Sequence, residues 1–194
     1  LIQPTNVESH LRLADEIEAP ICVSERLISK YQFREYLRTG AAEVVMPDLI
    51  WTGGITETKK ICTMAEAEQR PVAPHDMTGP VNVFACAHIS MNAPNVFLME
   101  SCRAFYGKGG WYEKVLETNI KVVDGYMLAP EGPGLGTRLR RDVFDRSDIT
   151  IEVTDEPGNH FHWGGHESPV FEVVGDRGER RVQYRESWTG VDPD

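Results

Sequence analysis

The stretch Glu43-Val44-Val45-Met46-Pro47-Asp48, followed by Gly53-Gly54 and a segment rich in helix formers from about Thr56 to Gln69, decides the fold. A short apolar run that stops at a turn residue and then gives way to a helix reads as one strand–loop–helix unit. The same unit stands on either side. Upstream, Pro20-Ile21-Cys22-Val23 ends at Ser24-Glu25, and Ser29-x-x-Gln32 has the form of a capping box for a helix that stops at Gly40. Downstream, Val72-Ala73 ends at Pro74-His75, and Gly79-Pro80 opens a helix of small residues to about Ser90. Val96-Phe97-Leu98-Met99 then ends at Glu100. A helix precedes the series, from a Thr5-x-x-Glu8 capping box to about Ile17.

These runs are apolar on both faces, as expected of parallel strands covered by helices, so the fold class is α/β. Their ends fall at Glu25, Asp48, His75 and Glu100, separated by 23, 27 and 25 residues, a near-constant period of one βα unit. All four ionisable side chains therefore belong to one rim, at the C-terminal ends of the strands, where βα barrels keep their active sites. Three carboxylates and an imidazole on one rim can hold a divalent ion and move a proton. Hard oxygen ligands favour magnesium, and an imidazole is the natural general base. Asp48, one strand before His75, can accept an imidazole N–H, fix the tautomer and raise the basicity of the other nitrogen.

The chain has 194 residues, 41% of them hydrophobic, with 20 Lys and Arg against 30 Asp and Glu and a net charge of −10. That balance disfavours nucleic acid and anionic membrane surfaces as partners. No apolar stretch approaches the roughly 18 residues of a membrane helix, and no signal-peptide pattern opens the chain, so a cytoplasmic protein is expected. Cys22, Cys62, Cys86 and Cys102 form no C-x-x-C pair and lie in apolar runs, which predicts reduced, buried thiols and no zinc site among them. The residues divide into 1–104, the βα series; 105–154, rich in Gly and turn signals; and 155–194, a polar appendage with a hairpin expected between Val170–Val174 and Arg181–Tyr184.

Val44-Val45-Met46-Pro47-Asp48, Gly53-Gly54-Ile55-Thr56-Glu57, Ala73-Pro74-His75-Asp76, Thr78-Gly79-Pro80 and Pro130-Glu131-Gly132-Pro133-Gly134-Leu135-Gly136 together resemble the mandelate racemase branch of the enolase superfamily. Within it the chain is most similar to acid-sugar dehydratases of the galactonate type, over about residues 1 to 154. The resemblance implies the C-terminal half of a modified (β/α)7β TIM-like barrel, strands five to eight, with residues 105–154 ending the barrel and returning to a capping domain. It implies Glu25 as a magnesium ligand, Asp48 and His75 as an acid/base dyad, and Glu100 as the acid that meets the substrate or its enolate. Ser24 stands where the family usually has Gly. The implied reaction removes the proton α to a carboxylate of a sugar acid and expels the β-hydroxyl, giving a 2-keto-3-deoxy acid. Racemisation or epimerisation of a 2-hydroxy acid on the same fold is the alternative, and a non-catalytic interaction module is another. The family's other metal ligands and second acid/base residue lie on earlier strands, before Leu1. The expectation is therefore a fragment with an open barrel edge, inactive by itself and prone to associate, from a family that commonly forms homo-oligomers.

Three further signals carry less. Gly132 to Gly136 lacks the strand and the Lys-Ser/Thr of a phosphate loop and reads as a turn. Gly53-Gly54 reads as a strand-to-helix turn rather than an anion cradle. His160, His162 and His166 have spacing a metal could use, against the plainer reading of a surface cluster.

Overall fold

Backbone groups of the apolar runs must find partners when buried, and they find them in one another. In a computed structural model of the chain, residues 2–148 are described, together with the strand segments 151–152, 169–173 and 180–184. β1 (Cys22–Val23) pairs in parallel with β2 (Val44–Val45). Single parallel bridges continue the order, Val45 to Val72 and Val72 to Val96, with Asp48 opposite His75. The hydrogen bonds Ala73 N to Val45 O at 2.9 Å, His75 N to Pro47 O at 3.0 Å, Phe97 N to Val72 O at 3.2 Å and Glu100 N to Pro74 O at 3.0 Å carry the ladder to the rim. Four runs thus lie side by side in sequence order, shorter as regular strands than their apolar lengths suggest.

Helices fill the connections. α1 (Val7–Glu16) precedes β1, and α2 (Ser29–Thr39) joins β1 to β2. After β2 come α3 (Leu49–Thr52) and α4 (Ile55–Ala67); α5 (Pro80–Asn92) follows the third run and α6 (Arg103–Tyr106) the fourth. Phe33, Tyr36 and Leu37 of α2, Ile61, Cys62 and Ala65 of α4, and Cys86 and Ile89 of α5 close on Val23, Val45 and Val72 in the main core. The opposite side of α5 contributes Val83, Phe84 and Ala87 to a second cluster with Tyr112, Leu116 and Ile120. A helix covered on two sides needs small residues, which explains its composition.

Several local expectations are corrected. The cap of α1 is Asn6, not Thr5: its Oδ1 accepts the Ser9 N–H at 3.0 Å, and Glu8 falls one place short of a reciprocal bond. At α2, Ser29 has φ 64 and lies inside the helix, and Gln32 Oε1 takes the Ile28 N–H at 2.5 Å. α2 ends at Gly40, as its sequence predicts, with φ 73. Cys62 and Cys86 are buried, but Cys22 is exposed; all four thiols are free. Phe97 and Leu98 are 60% and 48% exposed, because no described element covers that side of the last run.

β3 (Val122–Val123) and β4 (Tyr126–Met127) form a small hairpin whose two turn residues, Asp124 and Gly125, have φ 49 and 83, the positive pair that a tight hairpin turn demands. Residues 141–194 make a separate unit. There β5 (Ile151–Glu152) pairs antiparallel with β6 (Pro169–Val173), which pairs with β7 (Arg180–Tyr184), the hairpin expected one residue away. His160, His162 and His166 lie outside the described residues. Among the described residues no helix is long and apolar enough to cross a membrane.

Candidate active site

Asp48 ends the second parallel run and begins a helix, and both facts shape it. As the cap of α3 it accepts the Ile50 N–H at 2.8 Å and the Trp51 N–H at 3.3 Å on Oδ1. Thr78 Oγ1 donates to its two oxygens, at 3.2 Å to Oδ1 and 3.0 Å to Oδ2. Oδ2 also faces His75 Nδ1 at 2.8 Å, and the side chain is 0% exposed. A buried carboxylate surrounded by donors acts as acceptor only, so the imidazole hydrogen in this contact belongs to Nδ1.

His75 is thereby oriented, and its Nε2 points the other way, 3.4 Å from Glu100 Oε2. The backbone behind the ring is also held. The His75 N–H bonds Pro47 O, and its carbonyl accepts from Asn82 Nδ2 at 3.3 Å and from Cys86 Sγ at 3.4 Å. Asp48, His75 and Glu100 therefore form one chain across three neighbouring runs. Side-chain exposure along it rises from 0% through 14% to 38%, from a fixed inner carboxylate to an outer one open to a ligand.

Glu25 is the fourth rim residue expected from the sequence, and it takes no part in that chain. Its carboxylate accepts from Ser24 Oγ at 3.2 Å. Cys22, exposed by area, has its thiol pushed up to about 11 by the protein packed around it and then by the charges of Glu25 and Glu100. Among the described residues no three His, Cys, Asp or Glu side chains converge as a metal site. Magnesium asks for an octahedron of oxygens, and Glu25 by itself does not provide it.

Sequence reasoning missed three residues that the fold brings to the dyad. Thr78 reaches Asp48 across 30 positions. Asn82 Nδ2 bonds both His75 O and, at 3.2 Å, Asp76 Oδ1. Asp76 itself is 1% exposed, and its N–H lies 3.4 Å from Glu100 Oε2. Burial pushes the Asp76 carboxyl up to about 7, opposed by the Asn82 bond and reinforced by the charge of Asp48. The one available signal was their place in His75-Asp76-x-Thr78, immediately past a strand end. Trp51, which follows Asp48 in α3, is half exposed, whereas Phe105 and Trp111 pack on Tyr112 with ring centroids 5.7 and 4.5 Å away.

Comparison with known proteins gives the family of the chain. Residues 2–143 match the enolase C-terminal domain-like family. The arabinonate dehydratase of Saccharolobus solfataricus is 31% identical over 144 residues, 74% of this chain and 38% of that protein. The D-galactonate dehydratase of Ralstonia pickettii is 36% identical over 135 residues, 68% of this chain and 35% of that protein. Among solved structures, an enolase of the mandelate racemase subgroup from Agrobacterium tumefaciens superposes with a TM-score of 0.68 at 43% identity, covering 74% of this chain and 38% of that one. A mandelate racemase/muconate lactonizing enzyme from a Sulfitobacter species gives 0.68 at 34% identity, covering 73% and 35%. The chain thus spans little more than a third of the length of the relatives it matches.

Proposed function

This chain belongs to the enolase C-terminal domain-like family, in the mandelate racemase branch, and from that premise we propose that it carries the acid/base residues of a sugar-acid dehydratase. The observation behind the reading is the Asp48–His75–Glu100 chain. The dehydratase names of the relatives from Saccharolobus and Ralstonia point to the substrate class, an aldonic acid.

His75 Nε2 is the working atom. Because Nδ1–H is committed to Asp48, the lone pair that can take or return a proton lies on Nε2, on the more open side of the ring. Asp48 stabilises the imidazolium once the proton arrives, and its own bonds to Thr78, Ile50 and Trp51 keep it from turning away. Glu100 is placed to share a proton with Nε2 or to meet a substrate hydroxyl. In dehydration a proton leaves the carbon α to the carboxylate and the β-hydroxyl departs as water. The resulting enol becomes a 2-keto-3-deoxy acid. Magnesium, which the family implies, would polarise the substrate carboxylate, with Glu25 as one ligand. Glu25 alone does not complete such a site.

The test is turnover by the intact protein on D-galactonate and arabinonate, following 2-keto acid formation. His75→Asn is expected to lower it at least about 100-fold. Unchanged turnover in His75→Asn overturns the assignment of His75. Exchange of the α-proton with deuterated solvent and no keto acid would instead assign racemisation.

A further inference from the structure

Behind His75 lies a set of buried polar atoms that the proposed reaction does not use. Asp76 Oδ2 and Asn82 Oδ1 are buried, and neither has a hydrogen-bond partner. Asp76 and Asn82 are already joined by one bond, Asn82 Nδ2 to Asp76 Oδ1 at 3.2 Å. The two orphan oxygens on these residues are both acceptors while Asp76 is ionised, and two acceptors cannot satisfy each other. One proton on Asp76 removes the conflict, because a carboxylic acid and a carboxamide can exchange two hydrogen bonds, N–H to O and O–H to O. We propose that Asp76 is a positioning residue held as a neutral carboxylic acid, paired with the Asn82 amide so that together they anchor the strand end from which His75 works.

The surroundings favour the neutral form. Asp76 and Asn82 are 1% and 0% exposed, so an ionised carboxylate there would lack both water and a full set of donors. Facing Asp76 are Asp48 and Glu100 from the neighbouring runs, which repel a further negative charge, and His75, the sole cationisable group among those that bear on it. Cys86 of α5 and Tyr112 of the turn at Trp111–Lys114 complete the environment. Both are kept in their neutral forms chiefly by burial. Burial lifts the Asp76 carboxyl to about 7, in agreement with the hydrogen-bond accounting. The link to His75 is direct: the second hydrogen of the same Asn82 amide bonds the His75 carbonyl at 3.3 Å.

The catalytic consequence rests on the dehydratase reading, but the acid–amide pair does not, so its test needs no turnover. The intact protein, labelled with [4-13C]aspartate, is titrated by NMR, and the Asp76 carboxyl signal is assigned as the one missing from Asp76→Asn. The expected result is an inflection near pH 7, accompanied by an inflection at the same pH in the His75 imidazole signals that Asp76→Asn abolishes. Asp76→Asn, which presents an amide where the neutral acid stood, is expected to match the wild-type unfolding temperature at pH 4 and to rise above it by pH 6, whereas Asp76→Ala falls below the wild type at pH 4. A carboxyl that titrates in the ordinary range near 3.8 overturns the proposal, as does Asp76→Asn unfolding like Asp76→Ala. If neither variant folds, infrared spectra of the wild type decide. An aspartic acid C=O band present at pH 6, shifted by the label and lost by pH 9, supports the pair, and its absence at pH 6 refutes it.

Discussion

Thr78 shows how much of a catalytic group's behaviour is set by a residue that does no chemistry. Its hydroxyl touches both oxygens of a fully buried carboxylate, and bonds to charged groups rank among the stronger ones. Thr78→Val keeps the shape and removes the donor; it is expected to cost about 1–3 kcal/mol in urea unfolding and to reduce turnover with it. Asp76 sets a different dependence. Its folded-state value, about 7, lies above the ordinary 3.8, so the folded protein binds a proton that the unfolded chain releases between those values. Stability from this group is full below about pH 4 and falls by about 1.4 kcal/mol per pH unit as the pH rises towards 7, then levels. Asp76→Asn cannot ionise, so its urea midpoint relative to wild type should climb across that window; a constant difference from pH 4 to 8 would contradict the raised value. Asp48, His75 and Glu100 could be found in the sequence because each ends an apolar run at one spacing. Thr78, Asp76 and Asn82 could not, because their partners depend on how two loops fold over a strand end.

At the scale of elements, helix ends were more legible than helix starts. Gly40 holds φ 73 and its N–H meets Tyr36 O and Leu37 O, a conformation that costs other residues roughly 1 kcal/mol. A Cβ there would lie 3.9 Å from Arg70 Nη2, an ordinary contact. Gly40→Ala should therefore destabilise by about 1–2 kcal/mol from backbone strain alone, measurable by chemical unfolding. The start of α1 shifted by one residue because Thr5 and Asn6 can each serve as a cap, whereas at α2 the cap position falls to Ile28, which offers no side-chain cap bond. α3 escaped notice because four residues carry no periodicity, although Asp48 before Leu49 is a fitting cap. Phe33 is 0% exposed in the seam of α2 with the strands; Phe33→Ala should cost about 3–5 kcal/mol in the same unfolding experiment.

For the whole molecule, both core clusters are drawn from residues that precede Arg141, and residues 141–194 form their own unit. A chain ending at Asp148 is therefore expected to keep its unfolding temperature within about 4 °C of the longer one, the shift that roughly 1 kcal/mol produces in a domain of this size. A larger loss would mean that the second unit supports the first. The open side of the last run, with Phe97 and Leu98 exposed, is a feature of the molecule that no single stretch of sequence announces. Apolar composition predicts that a strand will be covered, and which neighbour covers it is a property of the assembled layers.

The sequence by itself determined the period of the βα units, and with it the side of the sheet on which Glu25, Asp48, His75 and Glu100 emerge, because a strand's end and its ionisable residue are local features. It also carried the motifs by which the family is recognised. Only the tertiary structure decided that Asp48, His75 and Glu100 are in contact while Glu25 stands apart, and that Asp76 loses its access to water. Distances between side chains from different units, and the desolvation of a carboxyl, follow from how layers pack. Neither is written in the spacing of residues along one chain.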